Sequence, residues 1–170
     1  MRELSLHMLD IIENATRAGA TIVSVTVKEN TLRDRIELVV EDNGPGLNVP
    51  PEQAFAPTYT TKPGKQFGLG LSMFKATAEQ AGGTLTLARS SLGGLAVRAV
   101  MQLSHVDLQP MGDLAATLSS VVCTNPELDL WCRLETRGGG CAFRVSDIAR
   151  ELYSDERCGL AIARRVCERI

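Results

Sequence analysis

Three short segments between residues 10 and 71 carry the side chains of this chain that could do chemistry. They are the polar helix positions Asp10, Asn14 and Arg17, the loop Asp42-Asn43-Gly44-Pro45-Gly46, and Gly68-Leu69-Gly70-Leu71. Carboxylate, amide and guanidinium groups can hold a base, Mg²⁺ or a phosphate, and glycine lets a ligand approach the backbone closely. Together the three segments predict a nucleotide pocket that is neither a Walker P-loop nor a Rossmann fold.

The first segment lies on a helix predicted over residues 3–18. Its apolar stripe is Leu4, Met8, Ile11, Ile12 and Ala15, and its polar stripe is His7, Asp10, Asn14 and Arg17. Asn and Asp are poor residues for a helix interior, which favours a functional role over a solvated face. Asn14 would offer an oxygen to Mg²⁺, Asp10 could order or deprotonate an attacking water or hydroxyl, and Arg17 could meet a phosphate.

The second segment follows two strands predicted over residues 22–27 and 35–41, where apolar and polar residues alternate. A carboxylate at Asp42 can accept a hydrogen bond from an exocyclic amine, which adenine offers and guanine does not offer at the same place. Gly44 and Gly46 would leave room for the flat base. The alternative is an ordinary surface turn, for which Asp, Asn, Gly and Pro are typical.

The third segment begins a helix predicted over residues 70–81. Free backbone N–H groups at a helix N-terminus bind anions, so residues 68–71 could hold phosphates. Upstream, residues 47–67 hold four of the seven prolines and are predicted as a loop or lid with one short helical turn near 51–55. Thr60, Thr61 and Lys62 lie on this lid and could close on the phosphates. The alternative is a helix start with flexible glycines.

The rest of the chain is less specific. Strands are predicted over 84–88 and 95–103, and after His105 a helix over 113–123 precedes a hairpin around Gly138-Gly139-Gly140. A two-residue turn at Gly138-Gly139 would pair Cys132 with Val145 and Leu134 with Phe143. The five cysteines, at 123, 132, 141, 158 and 167, have no C-x-x-C spacing and are expected to be reduced. The last two are expected to point to opposite sides of a final helix.

Composition excludes several classes of function. The net charge of −2 argues against non-specific nucleic-acid binding, and no apolar run approaches the roughly 20 residues of a membrane span. The first residues lack the pattern of a signal peptide. These features predict a cytoplasmic protein that contacts neither nucleic acid nor a membrane.

The three segments, in this order, resemble the GHKL superfamily: gyrase, the heat-shock chaperone ATPase, sensor histidine kinases and the MutL mismatch-repair proteins. Residues 13–21 with Val23-Ser24-Val25 look like the MutL-type start of the fold. Residues 57–62 with 68–71 look like the lid and second glycine box of histidine kinases. Gly82-Gly83 with the hairpin of residues 90–100 looks like the kinase-type end. The resemblance covers residues 1–104, the predicted ATP-binding domain. It implies an α/β fold, a two-layer sandwich of a mixed sheet backed by helices with an ATP lid. Residues 105–170 are predicted as a small α/β segment with no assigned function.

By this resemblance Asn14 is the Mg²⁺ ligand, Asp42 reads adenine, Gly44 and Gly46 line the base, and residues 68–71 hold the phosphates. Hydrolysing members carry Glu four residues before the asparagine, whereas this chain carries the shorter Asp10. The shorter side chain of Asp10 affects the expected rate of ATP hydrolysis, because displacing a catalytic group by about 1 Å can cost on the order of 10²-fold in rate. Histidine kinases also have Gly-Thr where this chain has Gly94-Leu95, which affects one supporting contact near adenine.

Few residues precede the first helix, so the phosphoacceptor hairpin of a sensor histidine kinase is not expected, and neither is histidine autokinase activity. Two hypotheses follow. The protein transfers the γ-phosphate of ATP to a partner protein, as the anti-sigma-factor serine kinases do, or it senses ATP and docks a partner without catalysis. Small members with a similar tail accompany iron hydrogenase systems, which suggests that setting for the partner. A homodimer is compatible with either hypothesis.

Overall fold

The computed structural model describes residues 2–56, 69–151, 163, 164, 166 and 168–170. Its helices and strands follow the predicted order, with the helical turn after Pro50 in its expected place. In chain order they are α1 (Leu4–Arg17), β1 (Ile22–Asn30), β2 (Arg35–Asp42), α2 (Pro51–Ala54), α3 (Gly70–Gln80), β3 (Thr84–Arg89), β4 (Leu95–Gln102), α4 (Leu114–Thr124), β5 (Asp129–Thr136), β6 (Gly139–Arg144) and α5 (Val145–Glu151).

The described strands form one six-stranded sheet in the order β3-β4-β2-β1-β5-β6. Strands β1 and β5 pair in parallel, and the other neighbours pair antiparallel. The mixed sheet backed by helices that was expected from the sequence is therefore confirmed. The boundary predicted at residue 104 falls between β4 and α4, and strands from both sides of it belong to the same sheet.

One face of the sheet is buried beneath the helices. Alternate residues of each central strand point to this face, and they are Val23, Val25, Val27, Ile36, Leu38, Val40, Val97, Ala99 and Met101. They form a single core with the apolar stripe of α1 and with α3 and α4. The opposite face carries charged side chains, such as Glu37 and Arg98, whose Oε1 and Nε atoms lie 2.6 Å apart. The alternation of apolar and polar residues in the strand sequences therefore separates the residues of the core from those of the open face.

The segment after β4 fixes the start of α1. The first N–H groups of a helix have no partner inside the helix, and here Leu4 N donates to Pro110 O at 3.0 Å while Ser5 N donates to Met111 O at 2.9 Å. Gly112 has φ +75°, and a methyl group there would lie 2.7 Å from Ser5 Oγ. Helix α4 then packs against α1. The C-terminal part of the chain thus contacts the helix that carries Asp10 and Asn14.

The hairpin of β5 and β6 corrects the predicted register. Cys132 pairs with Phe143 and Leu134 with Cys141, two residues earlier than expected for each partner. The two-residue turn is Arg137-Gly138 and not Gly138-Gly139, because Thr136 and Gly139 form the closing pair. Since a shift of two residues preserves the pleat, the same side chains still face the core.

Cys132 and Cys141 carry free thiols, whereas Cys158 and Cys167 lie outside the described residues. Burial raises the pKa of Cys132 to about 12, so it packs as a neutral apolar side chain. Nowhere in the described ranges do three His, Cys, Asp or Glu side chains gather into a group that could hold a metal ion. Among the same residues, no helix has the length and apolar character needed to cross a membrane.

Candidate functional site

Asp42 is a buried carboxylate at the end of β2. Its Oδ1 accepts hydrogen bonds from Gly44 N at 2.8 Å and from Leu95 N at 3.2 Å. Its other oxygen, Oδ2, accepts no hydrogen bond from the described residues. The side chain is therefore fixed through one oxygen and can offer the second to a ligand N–H.

Asn43 attaches the same loop to the start of β1. Its Oδ1 accepts from both Thr21 N and Ile22 N at 2.9 Å, and its Nδ2 donates to Thr21 Oγ1 at 3.0 Å. The sequence reasoning gave Asn43 no role of its own. The tendency of Asn side chains to bond nearby backbone in turns is the signal that could have indicated it.

Three glycines allow the loop to pack around Asp42. A methyl group on Gly94 would lie 2.0 Å from Asp42 Oδ1 and 2.6 Å from Gly44 N, and one on Gly44 would lie 3.0 Å from the same Oδ1. Gly46 has φ +75°, a left-handed conformation that favours glycine. At Leu95, where the sequence departs from the Gly-Thr of histidine kinases, the backbone N–H donates to Asp42, while the hydroxyl that a threonine would add is absent.

We expect Gly94→Ala to lower the free energy of unfolding by about 1–3 kcal/mol, because overpacking a tight site forces its neighbours to move. Denaturant unfolding measures the change. Gly138→Ala is the matched control, since a methyl group there meets only Thr136 Oγ1, at 3.8 Å. Equal stabilities of the two variants would contradict the close packing of Gly94 on Asp42.

A cavity of about 260 Å³ lies beside this loop. It is lined by Pro45, Gly46, Leu47, Val49, Pro51, Leu87, Ala88, Arg89, Gly93, Gly94 and Leu95. Its aliphatic side chains suit the flat apolar face of a base. A larger groove of about 430 Å³ lies at the opposite end of the strands, near Arg35, Gly83 and Gln102, and none of the predicted site residues lines it. Of the predicted site residues, only Gly46 lines the smaller cavity, and Asp10, Asn14 and Asp42 are not part of its lining.

Helices α1 and α3 bring the second group of predicted residues together. Asn14 Nδ2 donates to Asp10 Oδ2 at 3.2 Å, one helical turn away. Gly70, the first residue of α3, packs so closely on Asp10 that a methyl group would lie 1.7 Å from the same Oδ2. The N-terminal end of α3, with backbone N–H groups that have no helical partner, thus lies beside Asp10.

The amide of Asn14 is oriented for a cation. Because its nitrogen donates to Asp10, its oxygen Oδ1 is the atom left for a ligand. That oxygen accepts no hydrogen bond from the described residues. An amide oxygen next to a carboxylate is a hard oxygen donor set, which fits Mg²⁺ with several waters retained.

The other predicted site residues are less directly placed. The exposed Arg17 pairs with Glu13, with Nη2 and Oε2 3.2 Å apart. Leu69 is half exposed and its carbonyl accepts from Met73 N, while Leu71 packs against the core. Thr60, Thr61, Lys62 and Gly68 lie outside the described residues.

His7 is a buried residue of α1 that contacts α3. It was assigned to the polar stripe of α1, but only 1% of its surface is exposed. The ring stacks on Phe74, with centroids 4.8 Å apart and planes 12° apart, and its Nε2 lies 3.2 Å from Thr77 Oγ1. Helix α3 covers this position, which the periodicity of α1 alone could not reveal. Burial lowers the pKa of His7, partly offset by the Gln109 side chain.

Comparison with known proteins identifies the family. Residues 2–105 match the model of the histidine kinase-, DNA gyrase B- and HSP90-like ATPases. The chain is 33% identical over 101 residues to the sensor protein CitS of Halalkalibacterium halodurans, which covers 55% of this chain. It is 30% identical over 111 residues, 63% of this chain, to a protein of Rickettsia bellii named as an NtrY-like sensor histidine kinase. The chain spans only 18% of the length of each relative.

A solved structure shares the fold. The N-terminal domain of a DNA repair protein superposes with a TM-score of 0.50 at 13% identity, over 85% of this chain and 52% of that one. The ATP-binding domain of PrrB from Mycobacterium tuberculosis gives a TM-score of 0.45 at 26% identity, over 57% and 64% of the two chains. Because the family model covers more than half of the chain, this protein belongs to the histidine kinase-, DNA gyrase B- and HSP90-like ATPases and carries their ATP-binding domain.

Proposed function

We propose that the protein binds Mg-ATP between α1, α3 and the Asp42 loop, and that it transfers the γ-phosphoryl group to a hydroxyl of a partner protein. The observation that carries the proposal is the contact of the Asp10–Asn14 pair with Gly70 at the start of α3. It brings a carboxylate and an amide oxygen next to the helix end that would hold phosphates.

The base half of the site follows from Asp42. Its Oδ2 would accept a hydrogen bond from the exocyclic amine of adenine, while Gly44 and Leu95 hold Oδ1 in place. Guanine carries a carbonyl oxygen where adenine carries this amine, so the carboxylate would repel it. The site is therefore proposed to select ATP over GTP.

The phosphate half follows from α1 and α3. Asn14 would hold Mg²⁺, which when bound neutralises charge on the phosphates. The first turn of α3, including Leu69, Gly70 and Leu71, would contact the phosphates through backbone N–H groups. Gly68 and the lid residues Thr60, Thr61 and Lys62 are proposed to complete this half, and Arg17 would join it by leaving Glu13.

In the transfer step the hydroxyl oxygen of the partner forms a bond to the γ-phosphorus. The bond from that phosphorus to the bridging oxygen breaks, and its electron pair leaves with ADP. The hydroxyl proton passes to a carboxylate oxygen of Asp10, which acts as general base. Because Gly70 packs against it and Asn14 donates to it, Asp10 is held in one orientation for this role.

A second candidate is a sensor that binds ATP without transferring phosphate. It is favoured by the contacts between the C-terminal part of the chain and α1, since Pro110 and Met111 accept from the first N–H groups of that helix and α4 packs against it. A displacement of α1 by the nucleotide would then reach α4. Partner docking would follow from this displacement.

Incubation with γ-labelled ATP and a cell extract separates the two candidates. For the kinase we expect one labelled partner band, which Asp10→Ala abolishes, because the variant lacks the base. Glu13→Ala is the matched control, since its carboxylate lies on the same helix but is exposed and paired with Arg17.

A label that survives Asp10→Ala would contradict the role of Asp10. The absence of any partner label, together with protection of α4 from hydrogen exchange by ATP, would select the sensor. An acid-labile phosphate on the protein itself would contradict both, because neither candidate phosphorylates a histidine of this chain.

A further inference from the structure

A buried polar cluster lies between α1, α3 and the segment after β4, and the transfer step does not use it. The cluster consists of His7, Thr77 and Gln109. His7 Nε2 lies 3.2 Å from Thr77 Oγ1, and Gln109 Nε2 donates to the same Oγ1 at 3.4 Å. Polar groups in a core usually have a structural or functional reason, since burying them is costly.

The cluster lies one helical turn from the site. His7 and Asp10 are three residues apart on α1, and Gly70 and Phe74 are four apart on α3, so each pair lies on one helix face. His7 stacks on Phe74, and Asp10 packs on Gly70. The two helices therefore share two successive contacts, and a change of spacing at His7 moves Asp10 relative to Gly70.

Two atoms in the cluster, His7 Nδ1 and Gln109 Oε1, are buried without a hydrogen bond to any of the described residues. Burial lowers the pKa of His7, and the Gln109 side chain partly offsets this effect. His7 Nδ1 and Gln109 Oε1 nevertheless form no hydrogen bond with each other. A neutral imidazole that accepts from Thr77 through Nε2 carries its proton on Nδ1.

We propose that His7 is a positioning residue of the nucleotide site, whose contacts with Phe74 and Thr77 set the spacing of α1 and α3 and hold Asp10 against the phosphate-binding end of α3. The proposal rests on the proposed function of Mg-ATP binding. It assigns His7 to the phosphate half of the site only.

The base half does not depend on His7. Asp42 is fixed by Gly44 and Leu95, and its loop is attached to β1 through Asn43. None of these contacts involves α3 or the cluster. Altering the cluster should therefore change the affinity for Mg-ATP relative to that for adenosine, which has the base but no phosphates.

The test compares Mg-ATP and adenosine binding by calorimetry in His7→Gln and Thr77→Val. We expect Mg-ATP affinity to fall about two- to tenfold, as for a lost hydrogen bond, while adenosine affinity stays unchanged. Ser5→Ala is the control, because this buried hydroxyl on the same helix has no hydrogen-bond partner among the described residues and lies outside the cluster. Thr77→Val preserves side-chain shape, so it remains informative if His7→Gln does not fold.

A second readout is the imidazole signal of His7 in NMR. The chain has two histidines, so in the His105→Gln variant His7 is the only histidine and gives the only imidazole signal. We expect its signal to move with Mg-ATP and not with adenosine. If the ratio of Mg-ATP affinity to adenosine affinity is unchanged in both variants, or if the imidazole signal does not move with Mg-ATP, the role of His7 is overturned but the proposed function is not. A wild type that binds neither ligand overturns the proposed function and this inference together.

Discussion

Asp42→Asn is expected to weaken Mg-ATP binding at least about tenfold. Both oxygens of Asp42 act as acceptors in the proposed complex: Oδ1 for Gly44 N and Leu95 N, and Oδ2 for adenine. An asparagine has one oxygen and one NH₂ group, so in either orientation it presents a donor to another donor. Losing a hydrogen bond to a charged group costs about 1.5–3 kcal/mol, which corresponds to roughly 10- to 100-fold in affinity.

Calorimetric titration with Mg-ATP measures this loss. For the wild type we expect a Kd on the order of micromolar, which corresponds to a binding free energy of about −8 kcal/mol. Glu37→Gln is the matched control, because it removes the same charge from the same strand. Its side chain points to the open face, where it pairs with Arg98. Equal affinities of the two variants would remove Asp42 from the site.

Asn14→Ala is expected to weaken ATP binding at least about tenfold when Mg²⁺ is present, and much less when a chelator removes it. The variant lacks the amide oxygen that would hold the cation, and the hydrogen bond from Asn14 to Asp10 is lost. Changes around a bound metal typically cost 10- to 100-fold in metal affinity. The dependence on Mg²⁺ separates this role from a general loss of structure.

The measurement is calorimetry with ATP in Mg²⁺ and in chelator, for wild type and variant. Thr16→Ala is the control on the same helix, since within the described part of the chain its hydroxyl donates only to the carbonyl of Glu13. A loss of the same size in both media would contradict the assignment of Asn14 to Mg²⁺.

Local patterns in the sequence were sufficient for the elements that carry the site. Helix α1 and strands β1 and β2 have clear periods, so their order and the position of Asp42 at a strand end were predicted. The mixed sheet and the family were also predicted, and both are confirmed. The roles of the individual site residues stay predictions.

The remaining features depend on contacts between distant parts of the chain. His7 is buried because α3 covers it, Gly94 is required because it packs on Asp42, and β5 joins the sheet beside β1. None of these leaves a pattern in its own neighbourhood. The register of the β5–β6 hairpin was wrong because three successive glycines left the position of the turn ambiguous.

The central claim is that Asp42 reads adenine in a Mg-ATP site. Calorimetric titration of the wild-type protein with ATP and with GTP, each in Mg²⁺, tests it most directly. We expect micromolar-range binding of ATP and at least about tenfold weaker binding of GTP, since the carboxylate would face a carbonyl oxygen of guanine. Equal binding of the two nucleotides, or no binding of ATP, would contradict it.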